Sequence, residues 1–593
     1  GTQPKIVAFP FIIATLLTTI ISVLIAAPLG IGIAIFLAEF TPRKIRVILK
    51  PMYDLLAGIP SVLYGLWGAF TLAPLLVNSV YPLIANSIGS IFPFFSETRH
   101  MGEGIFTASI VLSIMIIPIV ITLSEDAIRS VKKSLKEGSL ALGSTRWQTM
   151  RHVILPEAKS GIISSVILGT GRAIGETMAV LMVMSTVVNV PNSIFDRGMT
   201  MTGIIANNFD YALESPLTKH GLMAIGLLLF IMVFFLNIII ARFQHKRIEK
   251  NENSNEKYFF KNIFKKIKSF SKEDKDKNNE NLIEKKSSTK KFTILDIQQP
   301  VKSDEKKFTI VDEHLSKIEE KSITQKTNIS NSNKRKKIKF EKNVIRKSLM
   351  KQKIILSLLF FIVVLISFTV LFIIGDIVLN GGTSISPELF FEREIAGGKE
   401  GGFLNAIVGS LYLVSLALII AAPLSIGSAI YVQEYAKKDN IFTRIILFTS
   451  DTLASTPSII FGAFGYLFFV SFLGFNFSLI AGGFTLAIMI IPLMLRSSIE
   501  AIKAIPRNFQ EGALALGATK WQSIRSVILP PAMSGIISGI IISVGRAIGE
   551  TAAVLLTAGY SSFIPNSLLH GAASMPNLIW LYYDNSKRVP ILG

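Results

Sequence analysis

Residues 137–183 read EGSLALGSTRWQTMRHVILPEAKSGIISSVILGTGRAIGETMAVLMV, and residues 511–557 read EGALALGATKWQSIRSVILPPAMSGIISGIIISVGRAIGETAAVLLT. Aligned without a gap, the two stretches agree at 31 of 47 positions. Self-similarity on this scale means one structural unit used twice. Each copy joins a polar front, punctuated by glycine and ended by Ile-Leu-Pro, to an apolar back carrying Gly-Arg-Ala-Ile-Gly-Glu-Thr. The front suits a water-exposed loop and the back a membrane interior, so two chemistries sit side by side in each repeat.

Half of the 593 residues are hydrophobic and only 17% are charged, the profile of a chain built largely of membrane-spanning segments. With no cysteine, disulfides and thiolate metal sites are excluded, and the six histidines are too scattered for a metal cluster. The net charge of +21 does not point to nucleic acid, because residues 242–353 alone hold 32 of the 61 Lys and Arg against 16 of the 40 Asp and Glu. The chain starts with Gly, and no secretory-signal pattern precedes the first apolar run; we read the start as processed or truncated. No Gly-x4-Gly-Lys-Ser/Thr phosphate loop occurs, so ATP hydrolysis is not expected of this chain.

A bilayer crossing takes about 20 mainly apolar residues. Ten runs qualify: 8–37, 51–77, 104–123, 159–188 and 219–241, then 354–374, 403–432, 445–473, 477–495 and 532–558. Basic clusters at Arg43, Lys44, Arg46 and Lys50, at Arg129, Lys132, Lys133, Lys136, Arg146 and Arg151, and at Lys437, Lys438 and Arg444 mark cytoplasmic loops. Segments 78–103, 189–218, 375–402 and 559–593 are then expected outside, with both chain ends.

The repeat extends beyond the opening stretch. Ala26-Ala27-Pro28-Leu29 matches Ala421-Ala422-Pro423-Leu424, Pro60-Ser61 matches Pro457-Ser458, and Ile117-Pro118 matches Ile491-Pro492, in the same order and orientation. That is a parallel repeat about the membrane normal. Between Pro60 and Pro118 lie 58 positions against 35 between Pro457 and Pro492, placing an insertion near 78–103. The run 354–374 has no counterpart in the first half and 219–241 none in the second, so five helices are seen in each half and six expected, twelve in a full-length protein. The expected architecture is all-α and polytopic, with a first half at 1–244, a basic cytoplasmic linker at 245–350 and a second half at 351–593. The linker's polar composition reads as disordered. Its echoes KKFTILD at 290–296 and KKFTIVD at 306–312 are either a binding motif or drift in low-complexity sequence, and its basic ends suit anionic lipid head groups.

Three constellations could carry chemistry. The front reads as a helix stopped at Gly143 (Gly517 in the second copy), the residue suited to a left-handed helix end, then a second short helix through Trp147 (Trp521) to Pro156 (Pro530). Leu140, Leu142, Trp147 and Val153 on this element fit either a groove on a soluble partner or the membrane surface. In the back, Arg172 and Glu176 are four apart, as are Arg546 and Glu550, which places each pair on one helix face. Ionisable residues at membrane depth mark a functional site, or else each Arg neutralises the Glu one turn away. Gly171, Gly175, Gly545 and Gly549 allow close helix approach, so the two boxes could face each other across the repeat axis. Arg496 aligns with Thr122 and adds a third cation, a net positive centre that suits an anion. Lastly, Pro60-Ser61 and Pro457-Ser458 read as helix kinks whose freed carbonyl the Ser re-satisfies, serving either a gate or ordinary packing.

The fronts resemble the EAA loop of binding-protein-dependent ABC importer permeases. The match runs through Glu137, Gly138, Leu140, Gly143 and Trp147, and through Glu511, Gly512, Leu514, Gly517 and Trp521, each followed by five residues and Val-Ile-Leu-Pro. Gly138 and Gly512 stand where that pattern usually has Ala. The boxes are similar to those of the phosphate-specific (Pst) importer, whose channel pairs a C-type with an A-type permease. The first half, with its insertion and Gly-Glu-Thr-Met-Ala-Val, resembles the C-type; the second, with Pro-Leu-Met-Leu-Arg and Gly-Glu-Thr-Ala-Ala-Val, resembles the A-type.

The resemblance implies two fused type I ABC importer permease bundles in a bacterial inner (plasma) membrane. It implies inorganic phosphate as substrate, an ABC ATPase dimer that holds ATP and Mg, and an extracytoplasmic phosphate-binding protein. No cofactor is implied in this chain, and no nucleic acid; a phosphate-sensing regulator is a further candidate partner through the linker. Arg172, Glu176, Arg496, Arg546 and Glu550 are the residues it places in transport. Sulfate and molybdate permeases usually carry Gly-Glu-Phe-Gly-Ala where this chain has Gly-Glu-Thr. In the resembled family the EAA loop is the coupling loop that docks on the ATP-hydrolysing subunit, so its doubling opposes the alternative of a channel or secondary transporter without an ATPase.

Overall fold

A computed structural model describes residues 8–95, 102–184, 186–209, 211, 215–238, 350, 352–383, 385–395, 400–436 and 441–588. The linker's two echoes lie outside the described residues. In lipid each backbone polar group must be paired within the protein, so the apolar runs become helices. In the first half these are α1 (Phe9–Phe40), α2 (Arg43–Gly58), α3 (Ser61–Ser87), α4 (Ile105–Arg129), α5 (Lys133–Ala141), α6 (Arg146–Gly175), α7 (Met178–Val183), α8 (Met201–Asn207) and α9 (Pro216–Ile238). The second half has α10 (Gln352–Gly382), α11 (Leu404–Tyr435), α12 (Ile441–Ser455), α13 (Ser458–Phe472), α14 (Leu479–Lys503), α15 (Arg507–Ala515), α16 (Lys520–Ile548), α17 (Ala552–Leu555) and α18 (Met575–Arg588). Among the described residues the one strand pairing is a two-residue antiparallel ladder, Glu394–Ile395 with Glu400–Gly401.

Nine of the described helices are long and apolar enough to cross a membrane, ten if the pair Ile445–Ser455 and Ser458–Phe472, bent by 102° at their break, is one span. Each of the ten expected runs is thus mainly helical over its described residues. Two local expectations change. Pro60 and Pro457 do not kink continuous helices: both are extended (ψ 139° and 138°) and each starts a new helix, where its missing N–H costs nothing. Likewise the second short helix of each front does not stop at Ile-Leu-Pro. Wide turns at Met150–Ile154 and Ile524–Ile528 carry it on into the long apolar helix, relieving the proline's clash with the preceding turn.

Each half packs its first long helix on its third, and its third on the helix after the front: α1 on α4 and α4 on α6, then α11 on α14 and α14 on α16. The terminal helices are exchanged. From α10, Val363, Ile366, Val370 and Ile373 belong to one core with Ile33 of α1 and Ile117 of α4. Ser367 on α10 shares a hydrogen bond with Tyr53 (2.9 Å), and Asp376 accepts one from Thr71 (2.7 Å). In the other direction, Leu222, Ile225, Leu229 and Val233 of α9 share a core with Ile459 of α13, and Phe234 meets Phe448 of α12 edge-on at 6.0 Å. Each half therefore covers the other with one helix.

The segments 189–218 and 559–593, expected as outer loops, return into the protein over much of their described length. Phe195, Met201 and Thr202 are fully buried. The Ile105 N–H donates to the Asp196 carbonyl, and the Leu479 N–H to that of His570. The insertion lengthens α3 and carries Tyr81 against Phe195 at 4.3 Å, where its hydroxyl shares a hydrogen bond with Thr107 (2.6 Å).

Candidate functional site

The two fronts close in the same way. Gly143 and Gly517 have φ of +83° and +86°, the left-handed conformation that favours glycine. The Ser144 N–H reaches the Ser139 carbonyl (3.3 Å) and the Gly143 N–H that of Leu140 (2.9 Å); Ala518 with Ala513 and Gly517 with Leu514 repeat the pattern. Thr145 with Gln148, and Thr519 with Gln522, then form reciprocal capping boxes that start the next helix. Leu142 and Leu516 are 89% and 91% exposed, and Leu514 and Trp521 are exposed too, while Leu140 and Trp147 are half-buried. Glu137, Gly138, Glu511 and Gly512 are all exposed. Uncovered apolar side chains on this loop fit either a groove on a soluble partner or the membrane surface. Each front is tethered to its own half: Lys136 pairs with Glu39 (2.6 Å), and Gln510 donates to Glu434.

The charged boxes are not continuous helix. α6 stops at Gly175, Glu176 is extended (φ −71°, ψ 131°), and α7 begins at Met178; α16 stops at Ile548, with α17 beginning at Ala552. This corrects the shared helix face expected for Arg172 with Glu176 and for Arg546 with Glu550. Among the described residues neither pair forms an ion pair. Each Glu instead caps the short helix that follows, accepting from the Ala179 and Ala553 N–H groups at 3.4 Å. The carbonyls freed by the breaks are met by the returning segments. Thr202 donates to the Glu176 carbonyl (2.8 Å), and the Asn577 amide to that of Thr551 (2.9 Å).

The boxes do meet. Arg546 feels the charges of Arg172, Glu550 and Glu176, and all four side chains are half-buried. The contact is reciprocal: a Cβ on Gly175 would stand 2.9 Å from the Pro457 Cα, and one on Gly549 3.3 Å from the Pro60 Cα. Each Pro-Ser break is thus seated on the opposite half's box. Ser458 lies close to the Glu550 carboxylate, and Tyr64 lies within electrostatic reach of Arg172.

Arg496 has a partner that the motif reading missed. Its Nη2 lies 2.9 Å from Asp451 Oδ1, and the two side chains are 46% and 44% exposed. In the first half Thr122 donates to Asp54 at 3.3 Å. Asp54 and Asp451 each stand six residues before the Pro of the Pro-Ser mark, the signal that could have found them. Asp451 thus offsets Arg496, so the third cation of the expected net positive centre is neutralised locally. Ser455, one turn beyond Asp451 on α12, would meet a Cβ on Gly171 at 3.5 Å. The Arg496–Asp451 pair therefore stands about one helical turn from that contact.

A family profile described as "Binding-protein-dependent transport system inner membrane component" matches residues 30–250 and 421–575. The chain belongs to this family. Among its relatives, "Phosphate transport system permease protein PstC" of Pasteurella multocida (strain Pm70) is 39% identical over 243 residues, 41% of this chain and 75% of the relative. The protein of that name from Haemophilus influenzae is 37% identical over 243 residues, 41% of this chain and 76% of the relative. "Probable ABC transporter permease protein YqgH" of Bacillus subtilis is 39% identical over 245 residues, 41% and 74% of the two chains. This inner-membrane permease thus carries the family's unit twice in one polypeptide. Each matched segment holds one front, one charged box and one Pro-Ser break, while α10 lies outside both.

Proposed function

We propose that this chain is the transmembrane channel of an ATP-driven importer of inorganic phosphate, a C-type and an A-type permease fused through the linker. An extracytoplasmic phosphate-binding protein delivers the anion, and a partner ABC ATPase dimer, holding ATP and Mg, docks on the two fronts. The observation that carries this reading is the meeting of the two boxes, each against the other half's Pro-Ser break. Four ionisable side chains gather there at membrane depth, on the seam between the two halves. Closure of the ATPase dimer would draw the fronts at 137–156 and 511–530 together. The breaks at Pro60-Ser61 and Pro457-Ser458 would then pass that movement to the boxes.

Arg172, Arg546 and Arg496 offset the desolvation of the anion, Arg496 by exchanging Asp451 for phosphate. Glu176 or Glu550 accepts a hydrogen bond from a protonated phosphate oxygen. Sulfate has no such proton at neutral pH, so the same carboxylate repels it. The relatives named for phosphate transport support this choice of substrate.

The test is which solute stimulates ATP hydrolysis by the reconstituted complex. Phosphate is expected, whereas stimulation by sulfate or molybdate instead would overturn the substrate and leave the permease. Solute flux with no ATPase retained on purification would turn the reading to a channel or secondary transporter. In Glu176→Gln and Glu550→Gln, sulfate should compete with phosphate uptake about tenfold better than in the unaltered chain; unchanged exclusion in both removes the carboxylates from selectivity.

A further inference from the structure

At the coupling-loop end of the first half, between α2, the end of α4 and α5, lies a cavity of ≈ 820 Å³. Six cationic side chains line it, Arg43, Arg46, Lys50, Arg129, Lys133 and Lys136, against the carboxylates of Glu39 and Asp54. Beneath it Glu125 is fully buried, with Arg46 Nε at 2.7 Å, Arg129 at 3.5 Å and Lys50 at 3.6 Å. Lys136 is taken by Glu39. Arg43 and Lys133, both exposed, reach no carboxylate among the described residues.

Basic loops are ordinary on the inner side of a membrane protein. A buried carboxylate that gathers three of the cations into the wall of a cavity is not part of that rule. It fixes their positions while leaving the lining in positive excess. The second half lacks this arrangement in kind, with Ile499 at the place of Glu125 and Gln510 at that of Lys136. The helix that forms one wall suits an interface: Ile45, Val47 and Ile48 of α2 are exposed beside Arg43 and Lys44, while Tyr53 and Leu56 face the core. That places the cavity at head-group depth and open to water.

We propose that this cavity binds a phosphate group, carried by a free anion or by a lipid head group. Fixed guanidinium and ammonium donors at one wall are the chemistry that recognises phosphate oxygens, and α5 adds the uncommitted Lys133 from the turn before Glu137. An occupied cavity ties α5 to α2 and so stiffens the base of the first front alone. The site is distinct from the boxes and does not depend on which solute crosses the membrane.

The test is hydrogen exchange on the intact chain in its assembled complex, in phosphatidylcholine bilayer discs at matched ionic strength. One arm adds inorganic phosphate. The other replaces part of the phosphatidylcholine with phosphatidylglycerol in phosphate-free buffer. At least one arm should slow exchange about tenfold in peptides spanning 43–54 and 125–137. Arg43→Gln with Lys133→Gln should remove that local protection, and Arg43→Lys with Lys133→Arg should keep it. A response to phosphate alone identifies a free anion, one to phosphatidylglycerol alone a head group, and both a site open to either. No local protection in either arm, or full protection in the Gln double variant, overturns the proposal.

Discussion

Where Thr122 donates to Asp54 at 3.3 Å in the first half, Arg496 pairs with Asp451 at 2.9 Å in the second. Where Glu125 is buried under three cations in the first half, the second has Ile499. Yet the fronts close on glycines of nearly equal φ, and both boxes break at Gly-Glu-Thr. The copies agree in backbone devices and differ in charge. Under the proposed mechanism a backbone device serves a movement that both halves make together, so divergence in either copy would spoil it, whereas a charge has to be supplied only once.

The largest difference should appear in stability. Replacing Glu125 with Gln leaves Arg46 and Arg129 without their counter-charge and Lys50 with Asp126 alone, and should lower stability by about 3–5 kcal/mol. The twin change Ile499→Val should cost about 0.5–1.5 kcal/mol. Thermal unfolding of the purified chain in detergent measures both, and equal losses would remove the buried carboxylate as a point of difference.

The fronts should behave alike. A Cβ at Gly143 or Gly517 meets nothing within 4 Å, so Gly143→Val or Gly517→Val acts through backbone conformation alone, at about 1–2 kcal/mol each. Substrate-stimulated ATP hydrolysis should fall about tenfold in either variant. A large loss in one and none in the other would show that a single front carries the coupling.

At the seam the first box is the tighter one. Gly175→Ala should cost about 2 kcal/mol against Pro457, and Gly549→Ala under about 1 kcal/mol against Pro60. The ranking of their unfolding midpoints checks this, and the reverse order would contradict the packing.

The smallest effect is kinetic. Asp451→Asn frees Arg496 for the anion, so KM and kcat for uptake should both fall, by about three- to tenfold. Asp54→Asn keeps an oxygen that accepts from Thr122 and removes only a charge near Lys50, away from Arg496, and should change either by less than about twofold. Matching effects would mean that Arg496 does not meet the substrate.

Much of this was legible in the sequence because lipid leaves the backbone few choices. An apolar run of sufficient length must be helical whatever it packs against, and a glycine after Leu-Ala-Leu at a helix end predicts its own left-handed turn. The duplication was equally plain, since it needs no packing knowledge to see. Asp451 escaped notice because a lone Asp in an apolar run names no partner, and Arg496 lies 45 positions further on.

The breaks in the boxes escaped it too, because Arg172 and Glu176 have helical spacing and nothing local ends the helix between them. What ends it is tertiary: Pro457 fills the space at Gly175, and Thr202 takes the carbonyl that the break frees. The exchange of α9 and α10 has the same origin. Helices apolar on nearly every side show no stripe to name their neighbour, and only assembly decides which surface they cover. By itself the sequence determined how many membrane-crossing helices the described residues hold, where the fronts turn, and that the unit occurs twice. The tertiary structure decided which charges meet, because pairing across a seam depends on distances that no spacing along the chain encodes.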